Sequence, residues 1–161
     1  METMFTPYSL GWGDMLARLG SAFLFAAALG YERSYHEKPF DFRPFIMVAV
    51  TSAALVIGIT EFAVQSDDPQ LSIDPGKVFA GIMTGIGFLG AGALFRDEQY
   101  VRGAGSAAAI WAAGGIGIVC GLGYLWLAAV VSVILVALLF ASNGLSSVHA
   151  VNGDDEKDGG D

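Results

Sequence analysis

The stretch GIMTGIGFLGAGALFR, residues 81–96, decides how the chain is read. Gly81, Gly85, Gly87, Gly90 and Gly92 stand there among Ile, Leu, Phe, Met and Ala. In water each interior glycine would cost a helix about 1 kcal/mol relative to alanine. In a bilayer an unsatisfied backbone group costs more than that, so the segment stays helical in spite of its glycines. The glycines then let a neighbouring helix approach closely. Gly81-x-x-x-Gly85 is one such pair on a helix face, and Gly117-x-x-x-Gly121 repeats it downstream. Helix packing is the role expected of all these glycines. The same letters contain Gly85-Ile-Gly87-Phe-Leu-Gly90, which matches the dinucleotide pattern G-x-G-x-x-G. That pattern has meaning only between a strand and a helix in a βαβ unit. Inside an unbroken apolar run, packing is the better account.

The composition agrees. The 161 residues are 54% hydrophobic and 15% charged, whereas a soluble domain carries about 25% charged residues. Residues 103–148 hold no charge at all, a run far too long for one soluble core helix. The fold class expected is an all-α integral membrane protein of five transmembrane helices with glycine-rich packing. About half of the net charge of −8 comes from residues 154–161, so it points to no partner, and nothing resembles a basic patch for nucleic acid. Cys120 is the only cysteine, which rules out an intrachain disulfide and a thiolate-built zinc or iron–sulfur site; it is expected to pack as a small hydrophobe. The first seventeen residues contain neither Lys nor Arg, so no cleavable signal is expected.

Spans are predicted at about 10–31, 45–64, 78–95, 104–120 and 124–143. They follow a short segment, 1–9, and precede an acidic tail, 144–161, expected to be disordered. The first span must reach back past Arg18 and Asp14, which share a face at i, i+4. Either the two pair within the membrane or both sit in the headgroup region. Asp74-Pro75-Gly76 is a helix start, with Asp74 as N-cap and Pro75 at the first helical position. Gly121-Leu122-Gly123 is the strong turn signal inside the long uncharged run. Arg33, Lys38 and Arg43 follow the first span, Lys77 alone follows the second, and Arg96 and Arg102 follow the third. The positive-inside rule then places the first and third loops in the cytoplasm, the N-terminus outside and the C-terminus inside.

Candidate functional residues lie at the ends of the spans. Glu32 and Arg33 close the first span, suited to a partner, a lipid headgroup or an ion; alternatively Arg33 snorkels to phosphates and Glu32 offsets local charge. Arg43, Arg96 and Arg102 set three guanidinium groups on the cytoplasmic side, suited to an anionic headgroup or a carboxylate, or acting as topology determinants only. Asp74 either caps its helix or joins Asp67 and Asp68 around Mg²⁺. Glu61, near the outer end of the second span, either marks an ion path or reaches the interface. No catalytic, cofactor or metal residue is assigned: His36 and His149 are the only histidines, and no G-x-S-x-G context appears.

Gly30-Tyr31-Glu32-Arg33, Lys38-Pro39, Arg43, and the block DPGKVFAGIMTGIGFLGAGALFRDEQYVRGAGSAAAIWAAGGIGIVCGLG (residues 74–123) resemble the MgtC/SapB family of bacterial membrane proteins. The glycine block, Val101-Arg102-Gly103 and Trp111 carry the likeness, which covers about residues 16–141. Departures occur at Asp41-Phe42-Arg43-Pro44, where the family reads G-L-R-T, at Ala104–Ala108, and at Lys77, where the family has Arg. The resemblance implies a five-helix protein of the bacterial inner membrane, similar to a short SapB-type member without a soluble C-terminal domain. It also implies adaptation to low Mg²⁺, survival inside host cells and an effect on membrane potential. The implied partner is the membrane sector of F-type ATP synthase. The reading is therefore a non-enzymatic membrane regulator whose glycine faces meet other helices, in partners or in a homo-oligomer. The alternative is a small transporter or channel for an ion or small solute, against which stands the lack of any acid in mid-span.

Overall fold

Five helices follow one another along the chain: α1 (Trp12–Tyr35), α2 (Arg43–Gln65), α3 (Pro75–Gly92), α4 (Ala104–Gly121) and α5 (Leu125–Asp154). The computed structural model describes residues 6–35, 42–66, 73–92, 94–96, 101–102 and 104–154. Between α3 and α4 a two-residue antiparallel ladder joins β1 (Phe95–Arg96) to β2 (Val101–Arg102), with Phe95 opposite Arg102 and Arg96 opposite Val101. Among the described residues every other element is an α-helix, as the sequence predicts. Among the described residues, three helices are long and apolar enough to cross a membrane: α1 over Trp12–Tyr31, α2, and α4. The G-x-G-x-x-G letters lie wholly inside α3, not at a junction of strand and helix, which removes the dinucleotide reading.

Helix ends follow local chemistry. Asp74 caps α3, its Oδ1 accepting the Gly76 N–H at 2.8 Å. With Pro75 at the first position, α3 begins three residues before the predicted 78 and stops at Gly92. Pro44 occupies the first turn of α2, where its missing N–H costs nothing. α5 extends through Asp154, into the acidic tail predicted at 144–161. Residues 125–154 contain no proline, and their first carboxylate is Asp154 itself. The rest of the predicted tail, 155–161, lies outside the described residues, as do residues 1–5.

α4 is the centre of the bundle. It packs against α1, α2, α3 and α5, and 56% of it is buried. It can be central because it is thin along much of its length: six of its ten buried residues are Ala109, Ala113, Gly114, Gly117, Cys120 and Gly121. Larger side chains from its neighbours, Phe45, Leu29 and Val56, fill the space around them and are fully buried. Ala22, Ala26 and Gly30 give α1 a matching buried small-residue stripe. A Cβ on Gly30 would lie 2.9 Å from Phe42 Cβ, so glycine lets the chain return beside α1.

The turn after α4 closes that helix completely. Leu122 N–H bonds to Ile118 O at 3.0 Å, Gly123 N–H to Cys120 O at 2.9 Å, and Tyr124 N–H to Val119 O at 3.1 Å. Gly123 has φ +88°, the left-handed cap of a Schellman motif. The remaining terminal carbonyl, Gly121 O, accepts from Arg18 Nη1 at 2.7 Å. This bond places the C-terminus of α4 beside the N-terminal part of α1. Arg33, Arg43, Arg96 and Arg102 therefore lie toward one end of the bundle, with Glu61 and Asp74 toward the other.

Candidate functional site

Two glycine faces were expected to pack, and the structure treats them differently. On α4 a Cβ at Gly117 would lie 2.2 Å from Ala49 O, and one at Gly121 would lie 2.8 Å from both Ala53 O and Val56 Cβ. Both are close backbone approaches between α4 and α2. Gly114, not singled out in the sequence, belongs to the same face, its Cβ position 2.2 Å from Ile86 Cδ1. The spacing Gly114-x-x-Gly117-x-x-x-Gly121 was the available signal.

On α3 most of the glycines are left uncovered by the chain's own helices. A Cβ at Gly81, Gly85, Gly87 or Gly92 would meet nothing within 4 Å. Gly90 alone approaches another helix, 3.4 Å from Ala107 O. The reason is angular: Ile86 and Gly90 at i, i+4 are the buried residues of α3 and face α4, which turns Gly81 and Gly85 outward. They form one wall of an open groove of about 340 Å³, with Met47, Thr51, Ser52 and Leu55 of α2 as the other.

The polar residues within the helices are used as ties. Glu61 accepts hydrogen bonds from the backbone N–H groups of Tyr8, Ser9 (3.0 Å) and Leu10 (3.1 Å), and from the Ser9 hydroxyl. It clasps the segment before α1 to the far end of α2, with a cavity of about 450 Å³ beside it, lined by Trp12, Met15, Leu19 and Ile57. Arg18 neither pairs with Asp14 nor stands free; it caps α4. Cys120 is fully buried in the α4 core.

The predicted interfacial residues are only partly placed. Glu32 and Arg33 lie on the last turns of α1, Arg43 opens α2, and Arg96 and Arg102 occupy non-opposed positions of the ladder. His36, Lys38, Asp67, Asp68, Asp97 and Glu98 lie outside the described residues. Among the described residues no group of three His, Cys, Asp or Glu is placed to hold a metal.

A helical bundle built on a thin central helix, with three helices able to cross a bilayer, defines a polytopic membrane protein. The chain belongs to the MgtC family, whose profile matches residues 19–148. It is 35% identical over 122 residues to Protein MgtC of Brucella abortus, covering 76% of this chain and 48% of that protein. It is 35% identical over 108 residues to Protein MgtC of Salmonella typhimurium, covering 67% of this chain and 43% of that one. The chain thus spans about half the length of these curated relatives or slightly less. No solved structure matches it.

Proposed function

We propose that this MgtC-family protein is a non-enzymatic regulator of the bacterial inner membrane, acting through contacts between its helices and those of other membrane proteins. The observation that carries the reading is the outward glycine face of α3. Gly114, Gly117 and Gly121 of α4 are covered, whereas Gly81 and Gly85 leave an uncharged surface suited to another helix. Five crossings, with the N-terminus outside and the C-terminus in the cytoplasm, are supported by the four arginines gathered toward one end and by Glu61 and Asp74 toward the other. By resemblance, the process regulated is adaptation to limiting Mg²⁺, and the membrane sector of F-type ATP synthase is the partner to examine first.

The test is a deletion strain grown across Mg²⁺ concentrations with membrane potential and ATP followed together. A defect confined to limiting Mg²⁺ and restored by the gene supports the proposal. Normal growth, potential and ATP at every concentration would refute it.

A further inference from the structure

The α2–α3 groove contains a buried hydroxyl that no described residue of the chain engages. Ser132 and Thr60 bond back to carbonyls of their own helices, at 2.7 Å and 2.8 Å. Ser52 lines the groove and is 2% exposed, and among the described residues its hydroxyl has no hydrogen-bond partner. A buried polar group in that state is destabilising until something supplies an acceptor. Across from it the wall at Gly81 and Gly85 has no side chain and nothing within 4 Å.

We propose that this groove receives α3 of a second copy of the chain, forming a two-fold dimer in which Gly81 and Gly85 of the two copies face each other and Ser52 donates to a backbone carbonyl of the incoming helix. The inference rests on the reading that this face meets other membrane helices, and it names the helix.

Chemistry selects a helix over a lipid. Ser52 stands nine residues along α2 from Arg43, or roughly 14 Å at about 1.5 Å per residue. That is near the middle of a hydrocarbon core of about 30 Å. Lipid ester and headgroup oxygens stay at the interface, so an acyl chain brings no acceptor to this depth. A helix brings carbonyl oxygens, each with a second lone pair beyond its own ladder bond. A helix also needs the missing side chains at Gly81 and Gly85 if its backbone is to come within reach.

Self-complementarity selects the second copy. The outward face of α3 from Val78 to Gly92 is uncharged, like the groove, and carries its own large groups one turn beyond Gly85: Phe88 is 80% exposed and Leu89 54% exposed. A hole and a knob on one helix meet their counterparts when two copies relate by a two-fold axis. Copies inserted in the same sense bring α3 to α3 in parallel, the arrangement in which Gly-x-x-x-Gly pairs cross closely.

The experiment uses the full chain in liposomes. Association is measured by energy transfer between labelled copies, and proximity by oxidative crosslinking of Gly85→Cys. Controls are the wild type, whose Cys120 is buried, and Val133→Cys on the exposed face of α5. Gly85→Cys is expected to crosslink and Val133→Cys is not. Gly85→Leu is expected to weaken association at least tenfold while leaving helicity and thermal unfolding unchanged. A wild type that stays monomeric at every protein-to-lipid ratio, association untouched by Gly85→Leu, or equal crosslinking at both positions would overturn the proposal. A monomeric Gly85→Leu that still restores the deletion strain would leave the dimer standing and sink the functional reading of this face. An associated Gly85→Leu that fails to restore it would do the reverse.

Discussion

Replacing Gly117 with alanine puts one methyl group where there is no room for it. Its carbon would lie 2.2 Å from Ala49 O, and 2.9 Å from both the carbonyl carbon and the Cα of Ala49. These atoms are backbone and cannot rotate aside. Ordinary contact between such atoms needs a separation of about 3.5 Å, so α2 and α4 must part by roughly 1 Å along their shared face. Overpacking a well-filled core costs about 1–3 kcal/mol, and a backbone obstacle belongs at the upper end, about 3 kcal/mol. For a chain of this size each kcal/mol lowers Tm by roughly 2–4 °C, so thermal unfolding of the purified protein in detergent is expected to fall by roughly 6–12 °C. Gly85→Ala is the control: its new methyl meets nothing within 4 Å, and removing a helical glycine gains at most about 1 kcal/mol. If Gly117→Ala unfolds within about 2 °C of the wild type, or no lower than Gly85→Ala, the close packing of α2 on α4 is refuted.

Other outcomes follow from the same geometry. At Gly114 the obstacle is Ile86 Cδ1, the end of a flexible side chain, so Gly114→Ala is expected to cost about 1 kcal/mol, and adding Ile86→Val is expected to recover most of it in a double-mutant cycle. Arg18→Met removes the charged donor from Gly121 O and is expected to destabilise by about 1.5–3 kcal/mol, read as Tm. Gly123→Ala forces a side chain into φ +88°, with an expected loss of about 1–2 kcal/mol from the same measurement. Glu61→Gln weakens the clasp on residues 8–10, so hydrogen exchange at those amides is expected to accelerate about tenfold while the α4 core keeps its protection. If the non-transporter reading holds, proteoliposomes carry no Mg²⁺, Na⁺, K⁺ or H⁺ flux above empty vesicles.

The helices themselves were legible because long uncharged runs, prolines and the Asp74 cap are local signals. Which glycines face inward was not. Gly81-x-x-x-Gly85 and Gly117-x-x-x-Gly121 are the same pattern in the same apolar setting, and only the pairing of Ile86 and Gly90 with α4 turns one outward. That pairing is tertiary, and no window of sequence contains it. The same holds for Arg18 and Glu61. Their partners, Gly121 O and the amides of residues 8–10, are 103 and about 50 residues away in the chain, so composition alone reads them as membrane charges in need of an explanation. Asp14 beside Arg18 offered an ion pair at the right spacing; a helix end with an open carbonyl offered the better partner.

The meeting of Arg18 with Gly121 has a further consequence for the surrounding lipid. α4 has 18 residues and α2 has 23, so at about 1.5 Å per residue they measure roughly 27 Å and 35 Å. Their close contacts at Ala49–Gly117 and Ala53–Gly121 run parallel, which leaves α2 extending twelve residues past Ala53 while α4 ends at once in its turn. At the opposite end the stagger is reversed: α4 begins thirteen residues before Gly117, and α2 only six before Ala49. The two helices are therefore offset along the bundle axis, and because α4 is enclosed by four other helices, it is the end of α2 around Glu61 that reaches past the turn toward the lipid. Any mismatch there costs a fraction of a kcal/mol for each ångström.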